Sequence, residues 1–346
     1  IVNGTTIGHT SDTDLMTLAD GVLTVAGEVD AASLDISGNV DIDGVLETDN
    51  LTIGGAQGSD GQVLTSTGSG VGWEDAGSGG ASNVNGLSDA KTFGTSSIMI
   101  GDATTGTIDA ANYNTGLGVD IFAALTTGDN NTAIGFAALD ANTTAGSNTA
   151  VGASAMGATT TGGNNVAIGT ETMLANTTGA DNTAVGVAAL DANTTADNNT
   201  AVGRNALGAN TTGTPNTAVG KGAMAANTTG TNNVAVGSGA LDANTTASAN
   251  TAVGRDALTT ATTAANNTAI GNYSQGATTT GASNTSVGSD SMAANTTGAN
   301  NTAVGHTALD ANTTGASSTA VGQGALTTQT TGAYNTAVGA SSGYGT

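Results

Sequence analysis

A seventeen-residue repeat is the feature that most constrains how this chain can fold. The stretch NTAVGRNALGANTTGTP, residues Asn199–Pro215, is followed in the same register by NTAVGKGAMAANTTGTN and then by NVAVGSGALDANTTASA. With the opening Asn as position 1, steps of seventeen from Ser97 to Asn335 give fifteen units without insertion or deletion. Position 5 is Gly, and position 4 is Ile, Leu or Val, in all fifteen. Such a short, fixed period indicates a solenoid in which each repeat forms one coil.

The composition restricts both the core and the class of function. The 346 residues include 54 Gly, 2% aromatic residues, and four Lys or Arg against 27 Asp or Glu, for a net charge of −23. With so few large side chains, the interior must be thin and built from small aliphatic residues and Thr. So acidic a chain is a poor partner for nucleic acid, whose phosphates bind basic surfaces. We also expect no disulfides, because there is no Cys, and no membrane insertion, because no apolar run is long enough.

The charged side chains predict which repeat positions face outward. Of the sixteen Asp, Glu, Lys and Arg residues after residue 96, fifteen occupy positions 6, 7, 10, 16 and 17. Because unpaired charges are costly to bury, these positions should lie outside, and the charge-free positions 4, 9 and 11 should lie inside. The candidate outward contacts are Arg204, Lys221, Arg255 and His306 at position 6, with Asp140, Asp191 and Asp242 at position 10.

Each coil is predicted to contain two short strands joined by two turns. The TAVG segment gives one strand, and the alternation of apolar and polar residues over positions 9–11 gives the other. Both are too short for amphipathic helices, and their Gly and β-branched residues oppose helix formation. The predicted fold class is therefore all-β, a parallel β-solenoid (β-roll) of about fifteen coils. At about 4.8 Å per coil, the rod would be roughly 70 Å long.

Two repeat positions are predicted to fix the stacking of the coils. The Asn at position 1 should stack on its counterpart in an amide ladder that satisfies buried turn groups. The Gly at position 5 suits a bend that needs positive φ or close backbone approach. The ladder residues named on this basis are Asn182, Asn199 and Asn216, with Gly135, Gly152, Gly169, Gly186, Gly203, Gly220 and Gly237.

The repeat resembles those of two related groups of fibrous proteins. NTAVG followed by a small-residue segment resembles the head repeat of trimeric autotransporter adhesins, which is a left-handed parallel β-roll in a homotrimer. The whole unit, NTAVGxxALxxNTTGxx, is more similar to repeats in phage tail fibres, and it is longer than the adhesin unit. The resemblance covers residues 97–346. It implies a homotrimer, located in a virion tail or alternatively outside a cell, that binds a host glycan or a protein receptor.

The first 96 residues have a different character. Residues 22–55 alternate apolar and acidic residues, and residues 61–76 resemble a segment of phage fibre shafts. We predict a β-rich fibre shaft over residues 1–76, a Gly/Ser-rich link over residues 77–96 and the solenoid over residues 97–346. Strands of a single shaft chain would have exposed edges, which three chains wound together would cover. This is a second reason to expect a homotrimer.

No catalytic, metal or cofactor site is predicted. His9 and His306 lie near opposite ends of the sequence, whereas an active site needs a nucleophile, base or metal cluster in one cleft. Residues 39–50 begin with the spacing of a calcium loop, but Asn50 stands where the bidentate Glu belongs. The apolar residues between these acids favour a strand with an acidic outer face. We therefore expect neither an enzyme nor a bound cofactor.

The recurrent Asn-Thr-Thr triplets suggest two further roles for the solenoid surface. They match the acceptor for N-glycosylation, and their Thr pairs suggest an ice-binding solenoid. Adjacent Thr side chains should point to opposite sides, however, so only one Thr per coil could join a given ladder.

A shaft placed before the solenoid favours a viral tail fibre for host attachment. A bacterial extracellular adhesin or surface filament is the alternative, and an ice-binding solenoid is the third hypothesis.

Overall fold

The computed structural model describes most of the solenoid and parts of the region before it. The described residues are 6–9, 12–19, 22–25, 52–53, 56–57, 62–66, 71–75, 90–93, 97–101 and 110–343. The chain divides into two compact units, Ile1–Asp75 and Ala76–Thr346. The candidate calcium loop over residues 39–50 lies outside the described residues.

All regular secondary structure in the described residues is β-strand. In the first unit the strands are β1 Thr6–His9, β2 Asp12–Ala19, β3 Val22–Val25, β4 Thr52–Ile53, β5 Ala56–Gln57, β6 Gln62–Ser66 and β7 Val71–Asp75. In the second unit they are β8 Ala90–Phe93, β9 Ser97–Ile100, β10 Thr115–Leu117, β11 Thr132–Ile134, β12 Thr149–Val151, β13 Val166–Ile168, β14 Thr183–Val185, β15 Thr200–Val202, β16 Asn216–Val219, β17 Asn233–Val236, β18 Thr251–Val253, β19 Thr268–Ile270, β20 Thr285–Val287, β21 Thr302–Val304, β22 Thr319–Val321 and β23 Thr336–Val338.

The first unit is built from antiparallel pairs. Strands β1, β2 and β3 form one three-stranded sheet, and β4–β5 and β6–β7 form two separate pairs. In β6–β7, Leu64 lies opposite Trp73. That these strands belong to a fibre shaft stays a prediction.

The second unit is a parallel β-solenoid with seventeen-residue coils, as the sequence predicts. Strands β9 to β23 pair in chain order, and each residue lies opposite the residue seventeen positions later, as Val202 does with Val219. The fifteen parallel strands therefore correspond to about fourteen coils. Strand β8, from the segment assigned to the link, pairs antiparallel with β9 and covers the first edge of this sheet.

The prediction of a second strand at positions 9–11 is wrong. In the coil that starts at Asn199, Asn205 at position 7 and Leu207 at position 9 have φ of 56° and 51°, in the left-handed region. Left-handed residues two positions apart keep this segment out of the extended conformation that a strand requires. Hydrogen bonds between coils continue here all the same, since the Leu207 N–H donates to the Ala223 carbonyl at 3.0 Å.

The interior is lined mainly by positions 1, 3, 8, 9, 12 and 15. In the same coil Ala201, Leu207 and Asn210 are fully buried, whereas Val202 and Ala209 are only partly buried. The prediction for position 9 is therefore confirmed, and those for positions 4 and 11 are wrong. Alternation along the three-residue strand sends its middle residue inward and its outer two outward. A small Ala is the residue that the narrow interior accepts there, so the larger Val at position 4 faces out.

One stretch of the interior is polar. Gln275 occupies position 9, where neighbouring coils have Leu or Met, and its Nε2 donates to the Thr268 carbonyl at 3.0 Å. The hydroxyls of Ser274 and Ser286 lie 2.6 Å apart beside it, and the Gln275 Oε1 has no partner in the described part of the chain. This stretch separates the two apolar clusters of the core. We expect the apolar packing of the core to be weakest here, because polar side chains replace the Leu or Met that neighbouring coils bury at position 9.

Candidate binding surface

Side chains at one repeat position form a column that runs along the solenoid. The column arises because every strand pairs with the next in the same seventeen-residue register. Successive side chains of a column are therefore spaced by the distance between strands, about 4.8 Å. Each candidate residue is thus part of a column, either buried in the interior or exposed on the surface.

The Asn column at position 1 is buried and bonds one coil to the next. The Asn199 backbone N–H donates to the Oδ1 of Asn182, and the Asn216 N–H donates to the Oδ1 of Asn199, both at 2.9 Å. The side-chain amide of Asn182 also donates to the Ala196 carbonyl at 2.8 Å. These Asn side chains satisfy backbone groups inside the rod, where no ligand reaches them.

A second buried Asn column, at position 12, was missed by the sequence analysis. The Nδ2 of Asn193 donates to the Oδ1 of Asn176 at 2.8 Å and to the Ala196 carbonyl at 3.1 Å. The two Asn columns thus meet at the carbonyl of position 15. Asn193 and Asn176 are the first residues of Asn-Thr-Thr triplets and are fully buried. N-glycosylation of these triplets is therefore incompatible with the folded chain, although the regular recurrence of the triplet could have indicated the ladder.

The cation column at position 6 is exposed, as predicted from its charges. Arg204, Lys221, Arg255 and His306 all face solvent. The Arg255 Nη2 lies 3.0 Å from the Oδ2 of Asp256, and its guanidinium carbon lies 5.6 Å from the centre of a Tyr ring on the next coil. Arg204 and Lys221 have no ion-pair partner in the part of the chain that the structure describes.

The acidic column at position 10 is partly buried. Burial raises the pKa of Asp140 above its usual value, a hydrogen bond from the Ala141 backbone opposes this, and the Asp120 carboxylate adds to the rise. Burial likewise raises the pKa of Asp191, with a smaller contribution from a neighbouring Glu. Asp242, also partly buried, accepts a hydrogen bond from the Thr259 hydroxyl at 2.7 Å.

The raised pKa values predict that Asp140 and Asp191 destabilise the fold at neutral pH. A carboxyl group whose folded pKa is raised stabilises the fold below its unfolded pKa of about 4, and that contribution is lost as the pH rises through the folded value. The double variant Asp140→Asn, Asp191→Asn should therefore melt about 1–3 °C higher than the parent chain at pH 7, a small gain because solvent screens both groups. The gain should vanish near pH 3. Thermal melting across this pH range checks the prediction, and a constant difference would contradict it.

A half-exposed apolar stripe runs along the sheet at position 4. The apolar stripe comprises the Ile, Leu and Val side chains at this position from Ile100 to Val338, and the exposed fraction is 37% at Ile134, 41% at Ile168 and 36% at Val304. Thr dominates position 2, on the same face of the strands. Monomeric soluble proteins rarely expose a contiguous apolar patch larger than a few hundred Å². A stripe of fifteen Ile, Leu and Val side chains is therefore unusual for a free surface.

A threonine column occupies position 14 without interruption. It contains one exposed Thr on each of thirteen successive coils, from Thr127 to Thr331. The Thr at position 13 differs, because its hydroxyl bonds to the next coil: Thr143 Oγ1 donates to the Thr160 carbonyl at 3.1 Å. Only one Thr of each pair is therefore fully available at the surface.

The described residues offer no group of three or more His, Cys, Asp or Glu side chains able to hold a metal ion. None of them forms a helix with the length and apolar character needed to cross a bilayer. Comparisons with protein-family models, with curated proteins and with solved structures found no match to this chain.

Proposed function

We propose that this chain is the rod of an attachment fibre that binds a host surface through its outward columns. The observation that carries the proposal is the contrast between the inside and the outside of the solenoid. The buried positions keep nearly the same residues from coil to coil, whereas position 6 changes from Phe136 through Arg204 and Lys221 to His306. Constant buried positions supply a rigid scaffold, and variable exposed positions are typical of a surface that contacts partners.

The proposed fibre is a homotrimer, with the apolar stripe as the contact between chains. The stripe extends over the whole described solenoid and its side chains point away from the core. Burial of such a stripe against the same stripe of two other chains would remove it from water along the length of the rod. The net charge of −23 would remain on the other faces, where it opposes further association.

Two biological settings fit the fibre. We favour a phage tail fibre located in the virion tail, because the whole seventeen-residue unit and residues 61–76 are similar to tail-fibre sequences. A bacterial extracellular adhesin or surface filament is the alternative, since the NTAVG motif also resembles adhesin heads. The partner in both settings is a glycan or a protein on the surface of a host cell.

The threonine column favours a second candidate function, that of ice binding. Position 14 is exposed in thirteen coils and is Thr in every one, although the exposed position 6 differs in nearly every coil. A regular ladder of hydroxyl and methyl groups can order water at a spacing of about 4.8 Å. One column is narrow for an ice-binding face, which is why attachment is the first candidate.

Binding of the intact chain to candidate host cells tests the attachment proposal. Three linked chains present each weak contact three times, so the trimer should bind at least about 100-fold more tightly than a monomeric fragment. The ligand should be released unchanged, because no group in the described surface is arranged for bond cleavage. Equal binding by trimer and fragment, or turnover of a bound glycan, would contradict the proposal. Depression of the freezing point without cell binding would instead support the ice-binding candidate.

A further inference from the structure

The charge of the solenoid reverses over two coils. No Asp or Glu occurs between Asp197 and Asp242, and within that interval lie Arg204 and Lys221. Half of the four basic residues of the chain are thus concentrated in a segment of local charge +2, while the chain as a whole carries −23. The two cations occupy position 6 of adjacent coils, about 4.8 Å apart along the solenoid.

A third cation of the column, Arg255, has a carboxylate partner that Arg204 and Lys221 lack within the described residues. Arg255 is followed at position 7 by Asp256, whose carboxylate pairs with it at 3.0 Å. Position 7 is Asn205 after Arg204, and Gly222 after Lys221. Neither residue can neutralise a cation, so two like charges are stacked without an internal counterion. Such an arrangement is unfavourable unless an anion from outside joins it.

The same residues form a concave site. Arg204, Asn205, Lys221, Gly222 and Ala225 line a surface cavity of about 250 Å³. The space beside the Gly222 Cα is open, because a Cβ added there would meet no atom within 4 Å. Because Gly222 and Ala225 are small, the cavity leaves room for a charged group to approach the backbone beside the two cations.

We propose that the cavity between Arg204 and Lys221 binds an anionic group, a carboxylate or a phosphate, on a saccharide of the attachment surface. The Arg guanidinium can bind such a group through two parallel hydrogen bonds, and the Lys ammonium adds a compact positive charge. The cavity is smaller than a typical drug-sized pocket and suits one sugar ring with its charged substituent. The inference rests on the proposed attachment function for the source of the ligand, whereas anion binding itself is independent of it.

Calorimetric titration of the intact chain tests the site with three probes: an oligogalacturonate, its fully methyl-esterified form and inorganic phosphate. We expect the oligogalacturonate to bind at least about tenfold more tightly than the ester, with the affinity falling as salt is raised from 50 to 200 mM. Tighter binding of the oligogalacturonate than of phosphate indicates a saccharide acid as the ligand. Equal binding of the two indicates a site for the anion alone.

Three variants locate the site. Lys221→Gln should weaken binding about tenfold, whereas the charge-matched control Arg255→Gln should change it less than about twofold, because Arg255 is already paired. Gly222→Asp should abolish binding while keeping both cations, since it supplies the missing counterion. The φ of 67° at Gly222 suits Asp, because Asp256, at position 7 of another coil, has a φ of 52°.

Four outcomes would overturn the site: no binding of any probe by the parent chain, equal binding of acid and ester, equal losses in Lys221→Gln and Arg255→Gln, or unimpaired binding by Gly222→Asp. Thermal melting of each variant shows whether it is folded. Cell binding decides the attachment function separately. If Gly222→Asp loses the oligogalacturonate but still binds cells, attachment stands and uses another column. If the parent chain binds the oligogalacturonate but no cells, the anion site stands and the proposed attachment function is wrong.

Discussion

Gly220→Val is expected to destabilise the solenoid more than any change at an outward position. Gly220 has a φ of 137°, and a Cβ added there would lie 2.5 Å from the carbonyl oxygen of Gly237 on the next coil. Strain in the backbone and the clash together should cost on the order of 3 kcal/mol, because the neighbouring coil cannot move without breaking its own register. The melting temperature should fall by roughly 10 °C.

Two further variants separate the causes of that loss. Gly220→Ala adds the same Cβ, and its melting temperature should fall nearly as far, since the clash with the next coil does not depend on the rest of the side chain. Ser238→Val places the same Val at an exposed position of the next coil and should change the melting temperature by less than about 2 °C. If Gly220→Val melted together with Ser238→Val, position 5 would not be the tight contact between coils that the structure shows.

The period of the solenoid could be predicted because it depends only on repetition. An insertion in one coil would shift every later side chain to the wrong face, so fifteen units in one register imply stacked coils. The positive φ at position 5 could also be predicted, because the same residue type recurs there in every unit. Only Gly accepts a φ of 125° to 143° at low cost, and all fifteen units have Gly there.

The direction of the strand side chains could not be predicted from charge alone. The absence of charge at position 4 predicts burial in the core, but a surface that contacts another chain would lack charge for the same reason. Ala201 and Val202 are both apolar, and it is the width of the coil that selects the smaller one for the interior. The left-handed conformation of Leu207 could not be predicted either, because Leu rarely adopts it; in the structure it accompanies burial of the side chain and a hydrogen bond from the Leu207 N–H to the next coil.

Charged substitutions on the apolar stripe are expected to convert the proposed trimer into monomers. The parent chain should sediment at about three times its mass of 32.6 kDa. Val202→Lys combined with Val236→Lys would place six ammonium groups in the proposed contact, where burial of unpaired charge is strongly unfavourable. Both side chains point away from the core, so the solenoid itself should remain folded. We expect a monomer at micromolar concentration that keeps the β-sheet circular dichroism of the parent.

The control for this variant carries the same charge on another face. Ser238→Lys combined with Gln323→Lys adds two ammonium groups at the exposed position 6 of two coils, and should leave the proposed trimer intact. A folded trimer in the Val202, Val236 variant would show that the stripe is not the contact between chains. A monomeric parent chain would show that the homotrimer itself is wrong. A monomer that still binds cells as tightly as the parent would separate assembly from attachment, because three linked copies are the proposed source of the high avidity.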